Sequence, residues 1–309
     1  MGAATSKNGV CAVIVTFYPD IARLLELLET VQPQVESIVV LDNAFSESDL
    51  VRKCTAHCRG VTYLGATSNV GIAAAHNHGV EFARESYAKY VLLLDQDSLP
   101  AHDMVEQLLR AEESLRTRER KVAAVGPGAV SAETGRPEPF LRPKGCCWLS
   151  KSSCEADNGE EECETLYLIS SGSLISLEVL REIGLMEEKF FIDLVDVEWG
   201  FRARAAGYHS FVVCGAEMTH RLGNKENLTI VPFTVTRHAP VRLYYQMRNY
   251  FLLIRKRYVS IGWALYYLAR HLVPRFFLFA FVCPPRLHNL RMMLLGLRDG
   301  LSGKSGECW

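Results

Sequence analysis

Four short apolar runs in the first hundred residues, at 10–17, 37–41, 61–64 and 90–94, are continuous rather than alternating, and each stops at polar residues. A strand that is apolar on successive positions is buried on both faces, which is the condition of a parallel sheet covered by helices. Helical periods lie between the runs. Ile21, Leu24, Leu25, Leu27 and Leu28 recur at helical spacing before a stop at Pro33, and a second helix is predicted over 72–84, after Asn69-Val70-Gly71. Strands alternating with helices predict an α/β fold, a doubly wound, mostly parallel sheet of Rossmann type. Ligands in such sheets sit beyond the carboxyl ends of the strands. Thr16, Asp42 and Asp95 all fall at such ends.

Further along, a helix is predicted from Pro100 to about residue 120, a strand over 122–125 and a loop-rich stretch over 131–164. The sheet is expected to resume over 166–176, followed by helices over 177–183 and 190–204 and a last strand over 211–213, before His220.

The 34 basic and 35 acidic residues nearly cancel, yet they are segregated: 237–298 holds eleven Arg or Lys and no Asp or Glu. The residues between these charges include Trp263, Tyr266, Tyr267, Phe276, Phe277, Phe279 and Phe281. A basic segment this apolar points to an anionic membrane surface and not to nucleic acid. Arg270, His271, Pro274 and Arg275 interrupt the apolar run, so helices lying on a bilayer are predicted in place of a span. The bland alternative is a tail packed on its own catalytic domain, with a solvated basic rim. The expected division is a catalytic domain over 8–236 and a C-terminal helical region over 237–309. The N-terminus has no signal-peptide pattern, which places the protein in the cytoplasm, peripheral on the inner face of the membrane. The ten cysteines form no paired CxxC ribbon, and reduced thiols are expected. Cys146, Cys147, Cys154 and Cys163 are their one local cluster.

Two constellations carry chemistry. Asp95-Gln96-Asp97 follows four apolar residues, which fixes two carboxylates at a strand mouth. Paired carboxylates suit Mg²⁺ or Mn²⁺ shared with substrate phosphates. The same tripeptide approximates the Asp-x-Asp motif of phosphatases, although that motif usually opens its fold and here about ninety residues precede it. The second constellation is 191–202, where Asp193, Asp196 and Glu198 lie close to Trp199 and Arg202. A carboxylate at the start of such a helix can take a proton from an attacking hydroxyl. Glu198 and Arg202 form an i,i+4 pair. His220 follows a strand near the same end of the sheet and is a candidate to complete a metal shell.

With these pieces in view, the chain resembles the inverting family-2 glycosyltransferases of GT-A fold, and within them the bacterial L-rhamnosyltransferases. The likeness runs from about Val10 to Arg257 through residues 13–19, Asp42-Asn43, 69–79, 92–97, Ser170-Ser171-Gly172, 190–199, His220 and 242–249. The resemblance implies that Thr16, Tyr18, Asp42, Asn43, Asn69, Gly71, Asn77, Asp95 and Gln96 serve the nucleotide-sugar donor. It makes Asp196 the catalytic base, puts Gly172, Glu198 and Trp199 on the acceptor side, and gives Asp95, Asp97 and His220 to a divalent metal. Val195-Asp196 stands where the broader family usually has an acidic pair, as in the rhamnosyltransferase variant. The implied donor is dTDP-L-rhamnose, with another hexose or galactofuranose as alternatives, and the implied acceptor is a saccharide or lipid-linked saccharide in cell-surface polysaccharide assembly.

Overall fold

The structure is a computed structural model that describes residues 8–44, 48–132, 135–144, 148–155, 160–220, 225–227, 234–236 and 239–308, with backbone alone at 48, 148, 220, 225–227 and 234–236. Strands β1 (Val10–Thr16), β2 (Ser37–Asp42), β3 (Val61–Gly65) and β4 (Tyr90–Asp95) alternate with helices α1 (Ile21–Val31), α2 (Ser48–Thr55) and α3 (Gly71–Glu85). After β5 (Ser98–Pro100) come α4 (Met104–Thr117), β6 (Val122–Ser131), a hairpin of β7 (Phe140–Lys144) and β8 (Trp148–Ser152), β9 (Glu162–Thr165) and β10 (Leu174–Ser176). Helices α5 (Leu177–Ile183) and α6 (Val195–Ala205) lead to β11 (His209–His220) and α7 (Pro240–Ile254).

The main sheet runs β3-β2-β1-β4-β10-β6-β11-β5, with β9 also on β11. Strands β1 to β4 pair in parallel, as does β6 with β11, whereas β10 enters antiparallel between β4 and β6. The α/β class and the parallel first half follow the prediction. Alternation along β1 explains its unbroken apolar character. Val10, Ala12 and Ile14 pack with α1 and α4 on one face, and Cys11 and Val13 pack on the other with Phe201, Leu243 and Trp263.

Three expectations are corrected. Only Leu174–Ser176 of the predicted 166–176 strand joins the sheet. Helix α6 starts at Val195 and not at 190, because Phe191, Asp193 and Leu194 take φ of 64°, 65° and 62°, which no α-helix accommodates. Cys154 and Cys214, sixty residues apart in sequence, form a disulfide where reduced thiols were expected. The fold brings β11 beside the loop that holds Cys154, a proximity that spacing cannot reveal. Cys146 and Cys147 lie outside the described residues.

Residues 261–282 form one continuous helical run, Ile261–Val282, long and apolar enough to cross a membrane by length and composition. Pro274 does not break it, since the preceding Leu268–Leu272 winds as a π-helix and the missing N–H falls near the start of the next turn. Trp263, Leu272, Phe279 and Ala280 of this run share a core with the sheet. The terminal helix Arg286–Ser302 packs along α7, where Gly296 and Gly300 leave no room for a Cβ against the backbone of Tyr244 and Arg248.

Candidate active site at the carboxyl ends of the sheet

The ends of β1, β2 and β4 bring Thr16, Asp42 and Asp95 into neighbouring register. Thr16 Oγ1 donates to Asp42 Oδ1 at 3.0 Å, and both side chains are buried. Asn43 Nδ2 donates to Asn69 Oδ1 at 2.9 Å, and Asn43 Oδ1 accepts the N–H of Val70 at 2.9 Å, which ties the β2 tip to the loop entering α3. Gln96 clamps the end of β1 by accepting from Phe17 N–H at 2.6 Å and donating to Phe17 C=O at 3.2 Å. Beyond that clamp Phe17 and Tyr18 are half exposed, with Tyr18 at φ 49°. A rigid polar floor with two accessible rings at its rim suits a nucleobase.

Asp95 and Asp97 flank Gln96 at this mouth. The Asp95 N–H donates to Ser171 Oγ at 3.2 Å, and the Ser171 and Ser98 hydroxyls bond to each other. Ser171 and Gly172 follow from backbone geometry: Gly172 has φ 87°, donates its N–H to Leu93 C=O at 2.8 Å, and would drive a Cβ to 2.7 Å from Pro127. His220 is placed by its backbone alone, which pairs with Ser98, the residue after Asp97. Its side chain lies outside the described residues, and among those described no group of three His, Cys, Asp or Glu is gathered as for a metal.

Asp196 opens α6 close enough to the β4 end to feel the charge of Asp95. Burial raises its carboxyl to about 6, against the pull of the Val197 N–H at 2.8 Å, and the charges of Asp193 and Asp95 add to the rise. The turn before it is held from α7. Asn249 Nδ2 donates to the C=O groups of Phe190, Ile192 and Asp193 at 2.7–2.9 Å, and the fully buried Arg248 donates to those of Lys189 and Phe190. Three non-glycine residues at positive φ persist only when their surroundings over-determine them. From the other side, Gly71 at φ 81° lets the Ile72 N–H reach Phe191 C=O at 2.8 Å, and a Cβ on Gly71 would meet that oxygen at 2.6 Å.

Several predicted residues turn inward instead. Asn77 is buried, bridging α3 to Met186 N–H, Met186 C=O and Glu188. Trp199 is buried and its indole N–H donates to Gly184 C=O at 2.9 Å. Glu198 is 1% exposed and takes a two-pronged bond from Arg202 at 2.9 and 3.0 Å, with Tyr258 as a third donor. Glu198 and Trp199 were expected to meet the acceptor, but their polar atoms are spent on the scaffold, so they hold α6 in position. Asp193 does not cap the helix, since its carboxylate pairs with Arg242 at 3.1 Å.

The model of a known family, described as glycosyl transferase family 2, matches residues 12–184, the span that holds nearly all of β1 to β4 and the Asp95-Gln96-Asp97 mouth. The chain belongs to glycosyl transferase family 2. It is a glycosyltransferase, and the phosphatase reading of Asp95-Gln96-Asp97 falls with that assignment. Among characterised relatives, the dTDP-rhamnosyl transferase RfbF of Shigella flexneri is 27% identical over 304 residues, 97% of this chain and 98% of its own. The galactofuranosyltransferase GlfT1 of Mycobacterium tuberculosis is 26% identical over 71% of this chain and 72% of its own. Solved structures share the fold. GalNAc-T7 with UDP, GalNAc and Mn²⁺ superposes with a TM-score of 0.62 at 12% identity, over 96% of this chain and 56% of that longer one. S. aureus TarS 1-349 in complex with UDP-GlcNAc gives 0.56 at 14%, over 96% and 81%. The glycosyltransferase therefore has the GT-A architecture, followed by a helical C-terminal region.

Residues the motifs did not single out also border this glycosyltransferase's cleft. Arg242 lies within reach of the charges of Asp193 and Asp95. Tyr167, bonded to the Trp263 indole at 3.4 Å, and Tyr267 both feel the charge of Asp196. Arg242 stood in the matched 242–249 segment, but only the fold brings the aromatic helix over the site. His76 is fully buried near Asp95, and burial lowers its imidazole to about 4, which keeps it neutral.

Proposed function

We propose that this enzyme moves a sugar, L-rhamnose from dTDP-L-rhamnose, to a hydroxyl of a saccharide or lipid-linked saccharide acceptor, with inversion at the anomeric carbon. The observation that carries the reading is a carboxylate of raised pKa, Asp196, close enough to the β4 end to feel the charge of Asp95, with Asp97 two residues further on. A general base works best with its pKa near the operating pH. Full-length similarity to RfbF supports the donor, and the likeness to GlfT1 keeps galactofuranose as the second reading.

In the proposed reaction Asp196 accepts the proton of the acceptor hydroxyl. The oxygen attacks the anomeric carbon as the bond to the nucleoside diphosphate breaks, and the diphosphate leaves with the electron pair. Thr16, Asp42, Asn43 and Asn69 form the floor for base and ribose, with Tyr18 and Gln96 at its rim. Gly71 and Asn77 act by fixing α3 against the catalytic turn, and Gly172 by fixing Ser171 beneath Asp95. Arg242, steadied by Asp193, offers positive charge on the leaving-group side. Two oxygen donors at a strand end are the ligand type that hard ions such as Mg²⁺ or Mn²⁺ prefer. Asp95 and Asp97, with His220 as the third candidate, would hold such an ion, which supplies charge at the departing diphosphate.

Location at the cytoplasmic face of an anionic membrane is part of the same proposal. Ile261, Leu265, Val273, Phe277 and Phe281, spaced by four or eight residues, are 42–66% exposed on one side of the aromatic helix. Arg291 and Arg298 are exposed among Leu287, Leu294 and Leu301 on the terminal helix. Such mixed Leu and Arg faces lie in bilayer interfaces.

The test is incubation of the full-length enzyme with Mg²⁺ or Mn²⁺ and a panel of dTDP-L-rhamnose, UDP-galactofuranose and UDP-hexoses, followed by chromatography of the nucleotides. Release of dTDP in preference to UDP is expected. Preferential turnover of UDP-galactofuranose moves the assignment to the second reading, and no nucleotide release from any donor contradicts both.

A further inference from the structure

The helix Ile261–Val282 presents different chemistry on its two sides. Toward the cleft, at four-residue spacing, lie Trp263, Tyr267, His271 and Arg275. Tyr267 stacks on Trp263 at 4.9 Å between ring centroids and meets His271 at 5.0 Å, and Arg275 donates to Gln246 Oε1 at 3.0 Å. Tyr267 is close enough to Asp193 and Asp196 to feel both charges. One turn further from Asp196, cations gather. Arg275, Arg270 and Lys151, the last from the β7–β8 hairpin, all bear on His271, which burial and these three charges lower to about 4. Among the described residues no carboxylate lies within ion-pair distance of Lys151, Arg270 or Arg275. Beyond the cations the helix ends in the stacked, exposed Phe277 and Phe281, 6.1 Å apart.

Like charges brought together without a counter-ion repel, and an anion bound among them relieves that repulsion and gains charge-assisted hydrogen bonds. The order along the helix matters more than the charge itself: catalytic carboxylate, three cations, then an apolar lipid-facing tip, over roughly 20 Å between Tyr267 and Phe281 at helical rise. A saccharide carried on a lipid through phosphate has the same order, with reacting hydroxyl, sugar, phosphate and apolar chain in line.

We propose that Lys151, Arg270, His271 and Arg275 form the binding site for the phosphate or diphosphate that joins the acceptor saccharide to its lipid. The proposal rests on the transferase reading and names the acceptor class that reading leaves open. At neutral pH His271 is an uncharged donor and acceptor, and the three cations supply the charge.

The probe is farnesyl diphosphate, titrated by intrinsic fluorescence into full-length protein held in saturating dTDP without metal, so that the donor's diphosphate position is filled. Lys151 and Arg270 are exposed, so Lys151→Gln/Arg270→Gln is expected to fold normally by circular dichroism and to weaken farnesyl diphosphate binding at least tenfold. Arg270→Glu should weaken it further. Farnesol, with the same chain and no phosphate, should bind at least tenfold more weakly than farnesyl diphosphate and be indifferent to these substitutions. Unchanged affinity of the double variant would overturn the proposal, as would farnesol binding as tightly as its diphosphate. Inorganic pyrophosphate binding as tightly as farnesyl diphosphate would overturn the lipid part. A loss confined to binding of phosphatidylglycerol vesicles would reassign the cations to bilayer headgroups. Release of dTDP from dTDP-L-rhamnose by the wild type, with water as acceptor, tests the transferase reading on its own.

Discussion

Burial, backed by the charges of Asp193 and Asp95, raises the Asp196 carboxyl from 3.8 to about 6. A carboxyl whose pKa is higher in the folded than in the unfolded state binds its proton more tightly when folded. Its contribution to stability is therefore full below pH 4 and is lost as pH rises through 6. At neutral pH ionised Asp196 weakens the fold, a cost kept for the sake of chemistry. Asp196→Asn is thus expected to raise the melting temperature of the metal-free protein at pH 7.5 and to leave it nearly unchanged at pH 4, as read by calorimetry. An equal or lower melting temperature at pH 7.5 would contradict the assigned burial. The same ionisation sets the pH profile: kcat/KM should climb with pH up to about 6 and then level off, and a profile flat from pH 5 to 8 would remove Asp196 as the base. The acids themselves were legible in sequence, as polar residues breaking apolar or helical patterns. The inward turn of Glu198 and Trp199 was not, because the phase of α6 follows from the turn before it, where Phe191, Asp193 and Leu194 take positive φ, and that of Asn77 was not, because its partners Met186 and Glu188 lie over a hundred residues away in sequence.

At the scale of elements, α7 matters as a clamp more than as a helix. Its Asn249 satisfies three carbonyls of the 190–193 turn, and Arg248 two of the turn's own or flanking ones. Removing the Asn249 amide leaves buried acceptors unmatched, at about 1–3 kcal/mol. Asn249→Ala is therefore expected to lower stability by that order in urea unfolding, and to reduce kcat severalfold while dTDP affinity stays within about a factor of three. Loss of stability with kcat intact would make the clamp purely structural. The alternation of β1 to β4 with helices could be read from unbroken apolar runs, since burial on both faces leaves a direct mark on composition. The antiparallel insertion of β10 and the β7–β8 hairpin could not, because short strands of mixed polarity carry no period.

For the whole molecule, the same C-terminal helices roof the cleft and carry the exposed apolar stripe. Under the proposed function, chemistry and membrane contact are linked through this one element. Phe277 and Phe281 are more than half exposed, so Phe277→Asp/Phe281→Asp should leave the melting temperature nearly unchanged. It should nevertheless abolish co-sedimentation with phosphatidylglycerol vesicles, and retention of vesicle binding would place the membrane surface elsewhere. The basic, aromatic composition of 237–298 announced this region, yet its packing over Asp196 was invisible, because contacts between residues so far apart leave no local signal.

The central claim is that Asp196 is the base of a sugar transfer carried out at the Asp95-Gln96-Asp97 mouth. It is tested most directly by measuring Asp196→Asn at saturating dTDP-L-rhamnose and acceptor, with the dTDP affinity determined on the same preparation. Turnover is expected to fall by about 10²–10⁴-fold, the share a positioned base contributes, with dTDP affinity within about a factor of three of wild type. Turnover retained at wild-type rate, or lost together with nucleotide binding, would contradict it.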